Sequence, residues 1–397
     1  VDKHYKVVIV GGGSAGISVA ARLVKDSKSL ERKVAIIDPA DKHYYQPLWT
    51  LVGGGISKKE NSERDMKSVI PKDAIWIQDA VDSFEPDQHF ISTESGRKIS
   101  YDYLVVAAGI DVHWDGIKGL KETLGKNNVC SNYSYEHVDY TWEVIRDFEG
   151  GQAVFSHPNT PIKCGGAPQK IMYLADDYFC KAGVREKTNI IFGSANEAIF
   201  DVLKYRQSLE KVIEKKGITV NFGCHLIEVR AAQKEAVFEH LATGEQEVIK
   251  YDMLHAVPPM QAPAFIKKSA LADSSGWVDV HPYTLQHKRY KNVFGLGDNS
   301  NLPTSKTGAA IRKQAPVVVK NLLNMVSGKP LDARYDGYSS CPIVTGYNRL
   351  ILAEFNYDKE PAESFPINQA KERMSMFMMK KYFLPAMYWN GMLKGIM

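Results

Sequence analysis

The sequence predicts an α/β protein with two Rossmann-like dinucleotide-binding halves and a C-terminal amphipathic helical segment. Three observations predict it. An apolar strand, a glycine-rich turn, an apolar helix and a second apolar strand succeed one another between residues 6 and 38. A second alternation of strands and helices fills residues 115–275. Beyond Gly328-Lys-Pro330 the chain turns aromatic, proline-rich and methionine-rich, with basic residues interleaved. Strands alternating with helical stretches are the pattern of parallel sheets with crossover helices.

The first half opens on Lys6-Val-Val-Ile-Val10, a buried strand, then Gly11-Gly-Gly-Ser-Ala-Gly16, a tight turn, then a helix over 17–24 and the strand Lys33-Val-Ala-Ile-Ile-Asp38. This is one βαβ unit of a parallel sheet. Short strands and turns follow over 75–110. The second half is read as strand 153–156, helix 168–181, strand 189–193, helix 197–216 and strand 218–222. A later strand ends in a Gly-Asp turn at Asp298, and a helix follows over 308–326.

At 397 residues the chain is long enough for two domains and an appendage. It opens on Val1, so an upstream segment is expected to be missing. No run of about 18 uncharged apolar residues is present to span a bilayer. The net charge of +4 sits in one place: residues 366–397 carry Lys371, Arg373, Lys380, Lys381 and Lys394 against Glu372 alone. The rest of the chain is formally neutral, so a nucleic-acid footprint is absent. Five cysteines (Cys130, Cys164, Cys180, Cys224 and Cys341) are widely spaced, without a CxxC pair or a metal-ligand rhythm. No metal site is expected.

Gly11, Gly13 and Gly16 form a G-x-G-x-x-G turn in the context that gives it meaning: tight turning, backbone approach to a pyrophosphate, and close packing of helix on strand. The helix N-terminus favours the diphosphate, and Asp38, ending the next strand, is placed for ribose hydroxyls. The stretches Tyr103-Leu-Val-Val-Ala-Ala-Gly109 and Val293-Phe-Gly-Leu-Gly-Asp298 resemble the second and third FAD fingerprints of the two-dinucleotide-binding-domain flavoproteins. The resemblance makes the first domain an FAD domain split in sequence. It implies FAD contacts at Gly11, Gly13, Ser14, Ala15, Gly16, Asp38, Gln46, Val81, Gly109, Asp298 and Lys306. Lys306 follows the Asp298 turn. It is either a cation that stabilises negative charge on reduced flavin or an exposed loop lysine.

Most proteins of that superfamily bind NAD(P)H at a second glycine turn. Here the equivalent strand Asn189-Ile-Ile-Phe-Gly193 runs into Ser194, Ala195, Asn196 and Glu197, and only the first glycine remains. A carboxylate at this turn repels a pyrophosphate. The fold is retained while nicotinamide binding is expected to be lost.

Cys164 precedes a helix that Pro168 opens, next to Lys163, and both neighbours favour the thiolate. Cys341 lies in a Gly- and Pro-stiffened loop. Cys130, Cys180 and Cys224 have settings that suit structural or incidental roles. The residues alone leave open whether Cys164 and Cys341 act. Taken together, Lys163-Cys-Gly-Gly-Ala-Pro-Gln-Lys170, His43-Tyr-Tyr-Gln-Pro47 and Gly337-Tyr-Ser-Ser-Cys-Pro-Ile-Val-Thr-Gly346 resemble the sulfide:quinone oxidoreductases of mitochondrial type, over essentially the whole chain. That resemblance implies Cys164 and Cys341 as a redox pair, bridged directly or through a further sulfur. Hydrosulfide opens the bridge, leaving a persulfide on Cys341 and a thiolate at Cys164 that donates to FAD. A small acceptor such as glutathione or sulfite then removes the outer sulfur. Ubiquinone is the implied electron acceptor, and the mitochondrial inner membrane, reached peripherally or monotopically, the implied location.

The tail from Asn368 reads as two short helices broken at Pro385. Trp389, Met392, Leu393 and Ile396 share one face of the second; Met374, Met376, Phe377, Met378 and Met379 make the first apolar, ending in Lys380 and Lys381. Such helices suit an interface with anionic lipid, which makes this the membrane-binding segment. A dimer interface or a cap on the core is the other reading. Phe377 and Tyr382 are candidates to line a quinone channel. The expected division is therefore 1–114 (FAD domain, first part), 115–275 (second, NAD-like domain), 276–330 (FAD domain, second part) and 331–397 (second cysteine and membrane helices). The competing enzyme is an NADH:quinone oxidoreductase without proton pumping, which needs an intact second glycine turn and no cysteine pair. From another class, a non-catalytic flavin-bound scaffold would need no reactive cysteines.

Overall fold

The computed structural model describes residues 3–397. β1 (Lys3–Val10) is rich in β-branched residues, and Val7 to Val10 are buried on both faces, as a central parallel strand requires. It feeds through the glycine turn into α1 (Ser14–Asp26). β1 pairs in parallel with β2 (Val34–Ile37) on one side and β3 (Lys98–Val106) on the other. Ile75–Ile77 extends the sheet beyond β2, and the antiparallel strands Phe90–Thr93 and Val81–Glu85 extend it beyond the start of β3.

A second parallel sheet holds β4 (Gly151–His157) at its centre. α2 (Ala167–Lys181) leads to β5 (Thr188–Ser194), α3 (Leu203–Lys216) follows, and β5 pairs with β4 and with Thr219–Phe222. The chain then returns to the first sheet: β6 (Val293–Gly295) pairs with residues 104–106 of β3, and α4 (Gly308–Val326) packs against α1. Asn299, fully buried, ties the ends of β3 and β6 together. Its Oδ1 accepts from Ala108 N–H at 2.5 Å, and its Nδ2 donates to Val106 O and Leu296 O, each at 3.2 Å. The hairpin β7 (Ser339–Gly346) and β8 (Arg349–Phe355) lies against α2, which bridges the two halves.

The structure corrects the sequence reading of several elements. The helix expected from Glu197 begins only at Leu203. Residues 195 and 196 are held in an irregular turn, with Ala195 N–H donating to His157 O (3.1 Å) and Asn196 O accepting from Gly223 N–H (3.2 Å). Cys341 lies in β7, paired with Ala353, and not in a loop. The tail is not broken at Pro385. α5 (Met374–Met378) passes through a π-helical turn, Met379–Phe383, into α6 (Leu384–Asn390). Leu384 N–H bonds five residues back to Met379 O, and Pro385 falls in the first turn of the new segment, where its missing N–H is tolerated.

The tail also faces differently from its expected orientation. Met392 and Leu393 are buried against α1, while Ile396 is 65 % exposed. Met374, Met378, Tyr382 and Phe383 form the exposed apolar surface. Among the described residues no helix is long and apolar enough to cross a membrane.

The glycine turn separates two kinds of glycine. A Cβ on Gly16 would lie 1.9 Å from Gly11 O, whereas Gly13, with extended backbone (φ −79°), has nothing within 4 Å of that position. Gly16→Ala is therefore expected to cost about 1–3 kcal/mol, read as a lower thermal unfolding midpoint. Gly13→Ala should leave the midpoint unchanged. Equal midpoints for both variants would contradict this account of the turn.

Candidate active site

The parallel register brings Val10, Val106 and Gly295 to one level, so three turns gather beyond the strand ends: Gly11–Gly16, Ala107–Gly109 and Leu296–Asp298. This edge has the properties of a dinucleotide cradle. The side-chain positions of Gly13 and Gly109 face open space, and Asp298 Oδ1 is buried with no partner in the protein. Burial raises the Asp298 carboxyl above its ordinary range, against the pull of Lys306 and Lys163. An unpartnered acceptor between open glycine turns fits a ligand rich in hydroxyl groups.

The other cofactor candidates differ in their surroundings. Asp38 accepts from Gly12 N–H at 2.6 Å and Ala40 N–H at 2.8 Å, so it braces the glycine turn directly. Burial raises its pKa, and these two bonds oppose the rise. Ser14 and Ala15 open α1. Val81 begins an edge strand and is buried in the core. Gln46 Oε1 accepts from Lys163 Nζ at 2.7 Å. Lys306 is not an exposed loop lysine. Its Nζ donates to Asp298 O (2.7 Å) and Ser300 O (2.9 Å) and lies 4.0 Å from the Trp277 ring centroid, and burial lowers its pKa to about 8.

Lys306 also joins the cradle to the cysteines, because its carbonyl accepts from Cys164 N–H at 2.8 Å. Cys164 has φ +57°, a left-handed conformation that costs a non-glycine residue about 1–2 kcal/mol. Its Sγ stands 3.1 Å from Cys341 Sγ, with both sulfurs free. A Cβ on Gly166 would lie 2.5 Å from Cys341 Sγ, so the loop can close over the strand only with glycine there. Cys130 and Cys224 are buried elsewhere, and Cys180 is exposed on α2.

The pair is electrostatically unequal. The hydrogen bond from Cys341 holds Cys164 well below the usual thiol range against the opposing effect of burial, and Lys170, whose Nζ donates to Cys164 Sγ at 3.3 Å, lowers it further. Cys341, sharing its proton with Cys164 and buried, is pushed well up. Cys164 is thus the thiolate and Cys341 the thiol. Lys163, expected to activate Cys164, bonds Gln46 instead; Lys170 does that work.

Two lysines have roles at the site that the sequence does not assign them. Lys170 is buried on α2 amid Ile171, Met172, Tyr173 and Leu174. A lysine in so apolar a helical run was the available signal. Lys380, expected at a lipid surface, is 5 % exposed and donates to Pro47 O at 3.2 Å. Burial first, then Lys170, lower its pKa to about 7, while the charges of Cys164 and Cys341 raise it. Phe377 is buried and Tyr382 is 57 % exposed, so the two quinone candidates do not share an environment.

Paired sulfurs joined to a dinucleotide cradle define a class, the flavin-dependent oxidoreductases with two dinucleotide-binding domains. Residues 5–140 match the family pattern described as pyridine nucleotide-disulphide oxidoreductase. The chain is 51% identical over 392 residues to "Sulfide:quinone oxidoreductase, mitochondrial" of Dictyostelium discoideum, covering 98% of this chain and 86% of that one. It is 49% identical to the protein of the same name from Mus musculus, over 99% and 87% of the two chains. The X-ray structure of the sulfide:quinone oxidoreductase of Aquifex aeolicus superposes with a TM-score of 0.83 at 22% identity, covering 99% of this chain and 92% of that one, a likeness of fold. The chain belongs to the sulfide:quinone oxidoreductase family.

Replacing Lys170 by Met removes the cation that favours the Cys164 thiolate, so the Cys164 pKa rises. Alkylation of the reduced protein by iodoacetamide at pH 7 should slow about tenfold, and its pH profile should move upward. An unmoved profile would show that Lys170 does not set the charge of Cys164.

Proposed function

We propose that this protein oxidises sulfide at Cys164 and Cys341, passes two electrons through FAD to ubiquinone, and hands the sulfur to a small nucleophile such as glutathione or sulfite. The observation that carries the reading is the 3.1 Å approach of the two sulfurs under the positive charge of Lys170. FAD would be held by the glycine turn, Asp38, Gly109 and Asp298, and would supply a two-electron acceptor beside the cysteines.

The asymmetry of the pair gives the protein's own steps their order. The separation exceeds a sulfur–sulfur bond by about 1 Å and is near the span of two such bonds through one further sulfur, so either bridge is within reach of a small movement. When hydrosulfide attacks a direct bridge at Cys341, the old S–S bond breaks, a persulfide forms on Cys341, and Cys164 leaves as thiolate. The lower-pKa sulfur is the better leaving group, which sets this direction. Cys341 is almost fully buried, which favours the smallest thiolate as the attacker. The acceptor nucleophile then takes the outer sulfur. Two thiolates remain, and their rejoining releases the electron pair. Lys170 and Lys380 offset the negative charge while both are present.

The relatives' name supports a mitochondrial location. The exposed stripe Met374, Met378 and Tyr382 supports attachment to a membrane surface, where a lipid-dissolved quinone is met. The second glycine turn, without a helix opening on it, gives no support to NADH as donor.

Anaerobic sulfide supplied together with sulfite should bleach the bound flavin within the mixing time, and NADH should not. Cys164→Ser and Cys341→Ser should each abolish sulfide-dependent bleaching; undiminished bleaching in either variant removes the mechanism. Glutamates at Met374, Met378 and Tyr382 should release the protein from anionic liposomes while leaving flavin bleaching by sulfide intact. Retention on the liposomes would reassign the stripe.

A further inference from the structure

We propose that Tyr388, in the C-terminal segment, is a positioning residue of the FAD cradle, so that docking of this segment and binding of FAD reinforce each other. The inference rests on the reading of the glycine turn as the FAD site.

Three hydrogen bonds carry it. His43 Nδ1 lies 3.0 Å from Gly12 O, His43 Nε2 lies 2.5 Å from Tyr388 Oη, and Ser14 Oγ lies 2.7 Å from the same Oη. A carbonyl only accepts, so His43 donates from Nδ1. Burial lowers the His43 pKa to about 4, so at neutral pH the ring carries one proton and Nε2 accepts. Tyr388 therefore gives its hydroxyl proton to His43, and its oxygen accepts from Ser14. The direction is fixed throughout: Ser14 to Tyr388 to His43 to Gly12.

The two ends of this chain of bonds are the residues on either side of Gly13, the glycine whose open face receives the ligand. A glycine turn loses much conformational freedom on ordering, and bracing it beforehand lowers that cost at the moment of binding. Tyr388 is itself fixed, 4 % exposed, with its ring 4.5 Å from Tyr45 and 5.0 Å from Trp389. Seven residues later the segment grips the same helix again. Lys25 Nζ donates to Gly395 O at 3.1 Å, and a Cβ on Gly395 would touch Arg22 N at 2.9 Å. The segment thus holds α1 at its first residue and in its later turns. Coupling between two binding events is reciprocal, so what braces the cradle is braced by its ligand.

The test uses apoprotein titrated with FAD, followed by flavin fluorescence. Tyr388→Phe, which keeps the ring, should raise the Kd about fivefold to tenfold, with the far-ultraviolet circular dichroism of the apoprotein unchanged. Ser14→Ala should also weaken binding, and the double variant should be no weaker than the worse single variant, because the two residues act through one bond. In the reverse direction, FAD should slow tryptic cleavage at Lys381 and Lys394 in the wild type and do so less in Tyr388→Phe. Wild-type affinity in Tyr388→Phe, additive losses in the double variant, or cleavage indifferent to FAD would each overturn the proposal alone. A wild-type protein that takes up no FAD would overturn the cofactor reading and the proposal with it.

Discussion

Two sulfur atoms separated by 177 positions in the chain meet at 3.1 Å, and most of the architecture can be read as what keeps them there. Cys341 is fixed by strand pairing in the β7–β8 hairpin. Cys164 has no such support. It stands in a left-handed conformation, its N–H given to Lys306 and its carbonyl accepting from Ala167, the first residue of α2. The hairpin packs on α2, and Gly166 leaves the space that Cys341 Sγ enters. Strain of about 1–2 kcal/mol at Cys164 persists because neighbours on both sides over-determine it.

Lys306 makes this constraint part of the cofactor region. Its backbone holds Cys164 and its ammonium holds the carbonyl of Asp298, so the cysteine loop and the third turn of the cradle cannot move independently. The C-terminal segment adds a second tie. It sends Lys380 to Pro47, next to Gln46, which engages Lys163 beside Cys164, and it sends Tyr388 to Ser14 and His43. A segment whose composition suggests lipid contact, with a dimer interface or a cap on the core as the other reading, has one face in the interior chemistry and another, through Met374, Met378 and Tyr382, in solvent.

The parts of the fold carried by local pattern were legible in the sequence. The β-branched runs of β1 and β2, the glycine turn and the helix over 308–326 follow from spacing and composition. α3 starts later than its composition suggests because the bonds that hold residues 195 and 196 irregular involve His157 and Gly223, far away in sequence. Pro385 signalled a break, but a single widened turn absorbed it. At the site, the two cysteines carried a local signal only in part, and their meeting is purely tertiary. Adjacency in the chain singles out Lys163 and passes over Lys170. Yet a helix starting between them turns Lys170 back toward Cys164, while Lys163 points to Gln46. Tyr388 had no signal at all, since nothing in a run of aromatic residues tells which one faces a buried histidine.

The central claim is that Cys164 and Cys341 form one redox centre. Non-reducing peptide mapping of the oxidised protein by mass spectrometry tests it most directly. The expected result is a cross-linked peptide pair containing residues 164 and 341, with either no additional sulfur or one, which sulfide converts to separate peptides. Finding both residues only as unlinked thiols, in protein whose flavin sulfide still reduces, would contradict it.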